Sequence, residues 1–401
     1  MKNREFRYFI AILILGSVIR AGYAFMTKGI TYNDTSLYMS FAEHISNTGT
    51  YSAIDKDGLE VRSFRPPLFP LLLSLFIKNG TFRKGQFIFL QILLSLLCSF
   101  FVFLSVKRLT GGKLALPAAL FSVLYPPLVY YPSTLITEML FTALFTAGFF
   151  FLIKREQGSY VSNSAVSAVF FALSCYVKSM MLLFPGVIAV EALIMKKPVK
   201  GTLVFLSVFF AVLAPWSIRN TIVLKRFVPM STEGGITLYW ENHKGSSPGK
   251  GYRAPDNFDL EAYKGLSETG RSDYYLNLGK EFIINNPGRF IALCLGRAWQ
   301  FLKPAPNRDL SVNSGLKEEL SRAVFFVFYL PLFIALVLSL FICRKPELLI
   351  LHLAFLYFLG IYSVVAGKTR YRFPLEPMMI VNAFVFIQMY LERRKKTARN
   401  R

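Results

Sequence analysis

QFIFLQILLSLLCSFFVFLSV, residues 86–106, runs without a charged side chain and is followed at once by Lys107-Arg108. Roughly 17 to 25 apolar residues are what a helix needs to cross the hydrocarbon core of a bilayer, and Lys/Arg at one end marks the cytoplasmic side. Working outward, comparable runs occupy Phe6 to Phe25, Leu114 to Tyr131, Leu135 to Ile153, Ser164 to Val177, Met180 to Met195, Thr202 to Ser217, Ala323 to Ile342, Leu348 to Val365 and Pro374 to Leu391. The expectation is an all-α polytopic membrane protein with about ten transmembrane helices. Composition agrees: 54% of the 401 residues are apolar, only 17% are charged, and the mean hydropathy is +0.44. A soluble domain would carry nearer a quarter charged residues.

The net charge of +23 raises the question of nucleic acid. The basic residues sit mainly at the ends of apolar runs and build no stripe or binding module, so no nucleic-acid partner is expected. With the N-terminus inside, Lys107-Arg108 with Lys113, Lys154-Arg155, Lys196-Lys197 with Lys200, Arg344-Lys345 and the tail from Arg393 to Arg401 all fall on the cytoplasmic side. Two long segments, 28–85 and 219–322, then lie outside, and 323–391 returns to the membrane. All belong to one transmembrane domain covering 1–401.

The first span has a basic start and a signal-peptidase-like Gly22-Tyr23-Ala24, but Arg20 interrupts its end, so a retained anchor is expected. Within the outer segments, Asp34 to Ser46, Pro67 to Ile77 and Arg289 to Lys303 read as helices lying at the membrane interface. Cys98, Cys175, Cys294 and Cys343 lack CxxC spacing and read as packing residues. The absence of internal repeats weighs against a transporter.

Chemistry is expected at the outer ends of the spans. Asp34, just past the first span, is either a first-turn acid that stabilises a helix or a functional carboxylate. Glu138, at the outer end of another span, needs a partner or water at that depth. Two such carboxylates could converge on one reacting group. Cations share the level: Arg62, Arg65, Lys178, Arg219, Arg370 and Arg372. Each alone reads as a snorkelling anchor, and together they suit a phosphate whose lipid tail stays in the bilayer. His44, His243 and His352 show no paired metal spacing, and His243 reads as a solvated loop residue. No GxGxxG or Walker A pattern points to a nucleotide donor.

At these residues the chain resembles the bacterial protein-mannosyltransferase-like glycosyltransferases, family 39 in the broad sense, of the C-type membrane fold (GT-C) that includes the lipid A aminoarabinose transferases. The resemblance is carried by Asp34 with Tyr38, Arg65-Pro66-Pro67-Leu68-Phe69-Pro70, Pro132-Ser133-Thr134 leading to Glu138, and Pro215-Trp216-Ser217-Ile218-Arg219-Asn220. Val228-Pro229-Met230-Ser231-Thr232, Gly234-Gly235, Leu238-Tyr239-Trp240, Asn286-Pro287-Gly288-Arg289-Phe290 and Arg370-Tyr371-Arg372-Phe373-Pro374-Leu375 complete it.

The resemblance implies a GT-C fold with interfacial helices in two external loops. It implies transfer of a hexose, pentose or aminosugar from a polyprenyl-phosphate donor, with inversion, on the outer face of the plasma (inner) membrane. The acceptor would be a hydroxyl of a glycan, lipid or protein. Asp34 would be the catalytic base and Glu138 a second catalytic carboxylate. Arg65, Lys178, Arg219, Arg370 and Arg372 would hold the donor phosphate, and Tyr38, Trp216, Asn220 and Tyr239 would line the substrate pocket. Many relatives carry an acid directly after the first-loop Asp, where this chain has Thr35. Zinc-binding relatives carry Glu where this chain has Phe64, so no cofactor is expected to be required, with a divalent metal kept as the lesser alternative. The rival readings are a flippase or transporter of polyprenyl-linked sugars and a non-catalytic scaffold.

Overall fold

The computed structural model describes residues 3–27, 29–55, 57–156, 159–248, 260–304, 316–342 and 346–399. Cys343 and the Arg344-Lys345 pair lie outside the described residues. The chain is almost wholly helical: α1 (Asn3–Thr27), α2 (Asn33–Thr48), α3 (Leu68–Ser74), α4 (Lys84–Thr110), α5 (Ala115–Leu124), α6 (Pro126–Tyr130), α7 (Glu138–Arg155), α8 (Tyr160–Cys175) and α9 (Phe184–Ile194) form the first part. Then follow α10 (Val199–Leu224), α11 (Glu233–Glu241), α12 (Leu260–Lys264), α13 (Glu268–Asn285), α14 (Pro287–Leu302), α15 (Leu316–Ile342), α16 (Pro346–Val365) and α17 (Glu376–Arg399). Two short antiparallel hairpins, β1 (Ala53–Ile54) with β2 (Glu60–Val61) and β3 (Ile77–Lys78) with β4 (Thr81–Phe82), lie within the segment 28–85.

Every apolar run read from the sequence becomes a helix, but they differ in reach. Among the described residues six helices are long and apolar enough to cross a membrane: Arg4–Thr27, Lys84–Thr110, Val199–Leu224, Leu320–Phe341, Glu347–Val365 and Thr369–Arg394. The run Leu114 to Tyr131 is broken, because Tyr125 turns extended (ψ 120°) ahead of Pro126-Pro127 and α5 ends after 10 residues. At 1.5 Å per residue such a helix covers only about half of a ~30 Å core. Tyr160–Cys175 and Ser179–Ile194 are likewise shorter apolar helices. The three segments expected to be interfacial helices are helical, as α2, α3 and α14; α11, α12 and α13 in the segment 219–322 were not anticipated.

Helix α7 is buried along most of its length, its Phe141, Phe145 and Phe149 meeting Phe171 of α8, Phe184 of α9 and Phe358 of α16. Gly148 lets α8 come close: a Cβ there would lie 3.0 Å from the Phe171 ring, and the Ser167 hydroxyl donates to the Gly148 carbonyl at 2.9 Å. Small residues and hydroxyls at such crossings are how helices pack tightly where lipid is as apolar as the side chains. Arg20, which the sequence shows only as an interruption, is fully buried. Its guanidinium donates to Ser95 Oγ at 2.8 Å and to the carbonyls of Gly16 (3.0 Å) and Val123 (2.9 Å), tying α1 to α4 and α5.

Backbone bonds bring the two carboxylate-bearing segments together. Ile30 donates to the Ser133 carbonyl at 2.7 Å, and Leu135 donates to the Ile30 carbonyl at 3.0 Å. Thr35 completes the contact: its hydroxyl accepts from the Tyr32 amide (2.9 Å) and donates to the Leu135 carbonyl (3.0 Å). An ionised acid at this position could not make that donation.

Candidate active site

Asp34 lies in the first turn of α2, Arg65 in the loop that Pro66-Pro67 directs into α3, and Glu138 opens α7. Lys178 stands where α8 ends, Glu233 opens α11, and Arg370 lies in the 3-10 turn Thr369–Leu375 before α17. All six side chains line one cavity of about 680 Å³, together with Tyr38, Thr137, Ser179, Ser231, Thr237 and Tyr371. The cavity is also lined by apolar residues: Met180, Leu182 and Leu183, Ile361, Val364 and Val365 of α16, and Ala366 just after it. Leu183 also reaches the outside, being 68% exposed.

The charged groups form one network. Arg65 donates from Nη2 to Asp34 Oδ1 at 3.1 Å and from Nη1 to Glu233 Oε2 at 2.5 Å. Arg370 Nη2 is 3.1 Å from Asp34 Oδ2, and its Nε stands 3.8 Å from Glu138 Oε1. Lys178 Nζ donates to Glu138 Oε1 at 3.1 Å and lies 5.1 Å from the centre of the Tyr371 ring. Tyr371 is stacked flat on Tyr362 (4.5 Å, 2°) and its hydroxyl accepts from Arg370 at 3.0 Å. Three carboxylates thus face three cations, which is what allows so many charges to share one largely buried pocket.

Burial pushes the Asp34 carboxyl up, but Arg65 and Arg370 outweigh it and hold the group below the usual carboxylate range. Glu233 goes the other way: burial raises it, with the Arg65 contact only partly offsetting. Neighbouring carboxylates with opposed shifts are a common mark of functional sites.

The residues expected from the sequence divide cleanly. Asp34, Glu138, Arg65, Lys178, Arg370 and Tyr38 meet at the cavity; Arg219, Arg372, Trp216, Asn220 and Tyr239 do not line it. Arg219 donates to the carbonyls of Arg62 and Tyr51 (2.6 and 2.8 Å) and to Ser63 Oγ (2.9 Å), and Asn220 Oδ1 accepts from Ser63 Oγ at 2.7 Å. Trp216 donates to the Met230 carbonyl at 2.8 Å and packs edge-on against Tyr51. These three hold the turn that presents Arg65. Tyr239 stacks on Tyr275 between α11 and α13.

Arg372 is buried against Glu376 (3.0 Å), the carbonyls of Phe301 and Lys303, and the Tyr329 ring. Its donors are committed to backbone oxygens and one acid rather than offered to a ligand. Arg372→Ala, leaving Glu376 buried without that partner, is therefore expected to destabilise the fold by about 3–5 kcal/mol. Thermal melting in detergent measures it; an unchanged melt with weakened donor binding would return Arg372 to the phosphate site.

Two residues escaped the sequence reading. Glu233 is one. The other is Arg297, fully buried, which bonds Asn242 Oδ1 (3.1 Å) and the carbonyls of Ser363 (3.1 Å) and Val364 (2.8 Å), and so ties α11 and α14 to the cavity wall. Gly367 packs so closely that a Cβ would lie 2.3 Å from the Arg297 carbonyl oxygen. His243, expected to be solvated, is buried and bonded to Ser246 Oγ at 2.7 Å, while Glu241 pairs with Arg297 at 3.5 Å. Among the described residues no cluster of three His, Cys, Asp or Glu is placed to hold a metal ion.

The class this architecture defines is the C-type membrane glycosyltransferase fold, in a multi-pass membrane protein. Within that class, the motif resemblance holds over residues 64–218, which match the family model described as dolichyl-phosphate-mannose-protein mannosyltransferase. Asp34, Glu233 and Arg370 lie outside the matched stretch. Among solved structures, the chain is similar to the oligosaccharyltransferase AglB from Archaeoglobus fulgidus in complex with an inhibitory peptide and a dolichol-phosphate: TM-score 0.59, 12% identity, covering 99% of this chain and 52% of that one. The oligosaccharyltransferase of Archaeoglobus fulgidus in the apo form matches with TM-score 0.56, 13% identity, and 97% and 52% coverage. ArnT from Cupriavidus metallidurans bound to undecaprenyl phosphate aligns with TM-score 0.43, 13% identity, and 97% and 78% coverage. The chain spans about half the length of the archaeal enzyme it matches. No curated protein matches.

Proposed function

We propose that this protein transfers a glycosyl group from a polyprenyl-phosphate donor to an acceptor hydroxyl at the outer face of the plasma membrane, its N- and C-termini being cytoplasmic. The observation that carries the reading is one cavity lined both by charged side chains, Asp34 among Arg65, Lys178 and Arg370, and by apolar ones, Leu182, Leu183, Ile361 and Val365. A lipid-linked phosphate asks for that combination: fixed cations for the head and an apolar wall for the tail. The tail would pass between the segment Ser179–Leu183 and the end of α16, which the Tyr357 hydroxyl joins by donating to the Met180 carbonyl.

In the proposed reaction Asp34 takes the proton of the acceptor hydroxyl as its oxygen attacks the anomeric carbon. The bond from that carbon to the phosphate oxygen breaks, its electron pair passes to the phosphate, and the sugar inverts. Arg65, Arg370 and Lys178 stabilise the negative charge that develops on the leaving group. The phosphate also competes with Asp34 for the two arginines, so donor binding would loosen their hold on the carboxylate and restore its basicity. Glu138, bonded to Lys178 and close to Arg370, keeps both cations turned toward the cavity. The positive charge that the reaction needs comes from these side chains. The sugar is a hexose, pentose or aminosugar, and the acceptor a glycan, lipid or protein hydroxyl.

Membranes expressing wild type, Asp34→Asn or empty vector, supplied with cell lipids carrying radiolabelled sugar, test the reading. Wild type is expected to move label into one of the protein, lipid or polysaccharide fractions above the empty-vector level, and Asp34→Asn to abolish that gain. Label that crosses the membrane while still on its lipid, with no covalent product, would favour a flippase instead.

A further inference from the structure

Glu233 is the carboxylate the proposed chemistry does not use. It lines the cavity, its side chain is about one-fifth exposed, and its contact with Arg65 is shorter than the one Asp34 makes. Its place is tightly held. The preceding Thr232 donates its amide to the Ser63 carbonyl (3.0 Å) and its hydroxyl to Glu268 Oε1 (2.7 Å), and the Ser63 amide donates to the same Glu268 oxygen at 2.9 Å. One clasp therefore presents both Arg65 and Glu233. Beyond it, Gly235 packs against α13, where a Cβ would lie 1.9 Å from the Ser272 carbonyl oxygen, so α11 has no slack to withdraw the acid.

We propose that Glu233 is a positioning residue that limits the site's grip on the lipid phosphate by keeping one arm of Arg65 for itself, and so promotes release of the spent carrier. The inference rests on the transferase reading. In that reaction the donor is a phosphodiester with one negative charge, whereas the product is a phosphate monoester that gains a second. The same three cations that hold the donor would hold the product more strongly, and slow release would limit turnover. An acid held on Arg65 offsets the gain.

The groups facing Glu233 are Arg65 and Asp34 from the first outer segment, with Tyr38 behind them and Lys178 across the cavity; Glu138 and Arg370 complete the network. Burial raises the proton affinity of Glu233, with the Arg65 contact partly offsetting. A purely structural ion pair would instead weaken the site when neutralised.

The test is the affinity of decaprenyl monophosphate, titrated against purified wild-type protein, Glu233→Gln and Glu233→Asp in detergent, with monodispersity and melting checked. Glu233→Gln is expected to bind about tenfold more tightly, one like charge having been removed beside the phosphate, and Glu233→Asp to stay within about threefold of wild type. Binding by Glu233→Gln that is equal to or weaker than wild type overturns the proposal, as does a Gln variant that no longer folds. Because this readout needs no turnover, it separates the two readings. Transfer that survives Asp34→Asn would sink the proposed base, while the binding comparison still decides the role of Glu233.

Discussion

Asp34→Asn is expected to lower the turnover of sugar transfer by about 10²- to 10⁴-fold, the range over which a positioned general base contributes. Asparagine keeps the shape and leaves an oxygen for Arg65 and Arg370, so the loss should appear in kcat far more than in donor KM. The sign of the accompanying stability change follows from the lowered proton affinity of this carboxylate. A group held ionised by the fold contributes stability above its unfolded value, near 3.9, and loses it as pH falls through the lower folded value. Melting curves of wild type and Asp34→Asn should therefore differ at neutral pH and converge in strong acid. Turnover equal to wild type at neutral pH would reduce Asp34 to a first-turn acid of α2.

Arg370→Lys is expected to cost about 100-fold in kcat/KM for the donor, comparable with removing one preorganised donor from a transition-state site. Arg370 is buried, reaches Asp34 and Tyr371 from Nη2 and faces Glu138 from Nε. A guanidinium does this with one rigid fork, whereas an ammonium on a flexible stem presents a point charge and cannot span both carboxylates. Steady-state kinetics with varied donor and fixed acceptor would measure the loss, and the acceptor KM should change little. If the Lys variant kept donor kcat/KM, the charge alone would suffice and the fork geometry would carry nothing.

The way the charges of the cavity are linked explains why these two substitutions outrank others. Arg65 and Arg370 each hold Asp34, and Arg370 also faces Glu138. Asp34→Asn takes away the one carboxylate that both arginines share and Arg370→Lys the fork that spans two carboxylates, whereas Arg219 and Arg372 hold backbone carbonyls at a distance from the set. The proposed tuning by Glu233 works in the same network from the opposite side, by competing for Arg65.

What the sequence determined by itself was the solvent and the depth. Uncharged runs such as Gln86 to Val106 can satisfy their backbone in lipid only as helices, so the helical membrane class followed from composition and length. Ionisable residues at the ends of such runs are costly unless used, which made Asp34, Glu138, Arg65, Lys178 and Arg370 visible before any coordinates. Depth, however, does not say what a side chain faces. Arg219 and Arg372 sit at the same level as Arg370, and only the packing shows that carbonyls of Arg62, Tyr51, Phe301 and Lys303 absorb their donors.

Glu233 was hidden for the opposite reason. It lies in the polar segment 219–322, where acids are common, and its meaning comes from a clasp between residues far apart in the chain, Ser63, Thr232 and Glu268. The broken run at Tyr125 shows a further limit: hydropathy averages over Pro126-Pro127, while the backbone cannot, because a proline restricts the residue before it. One-dimensional hydrophobicity sets which segments enter the membrane, and the three-dimensional arrangement of hydrogen-bond donors and acceptors decides which charges remain available for chemistry.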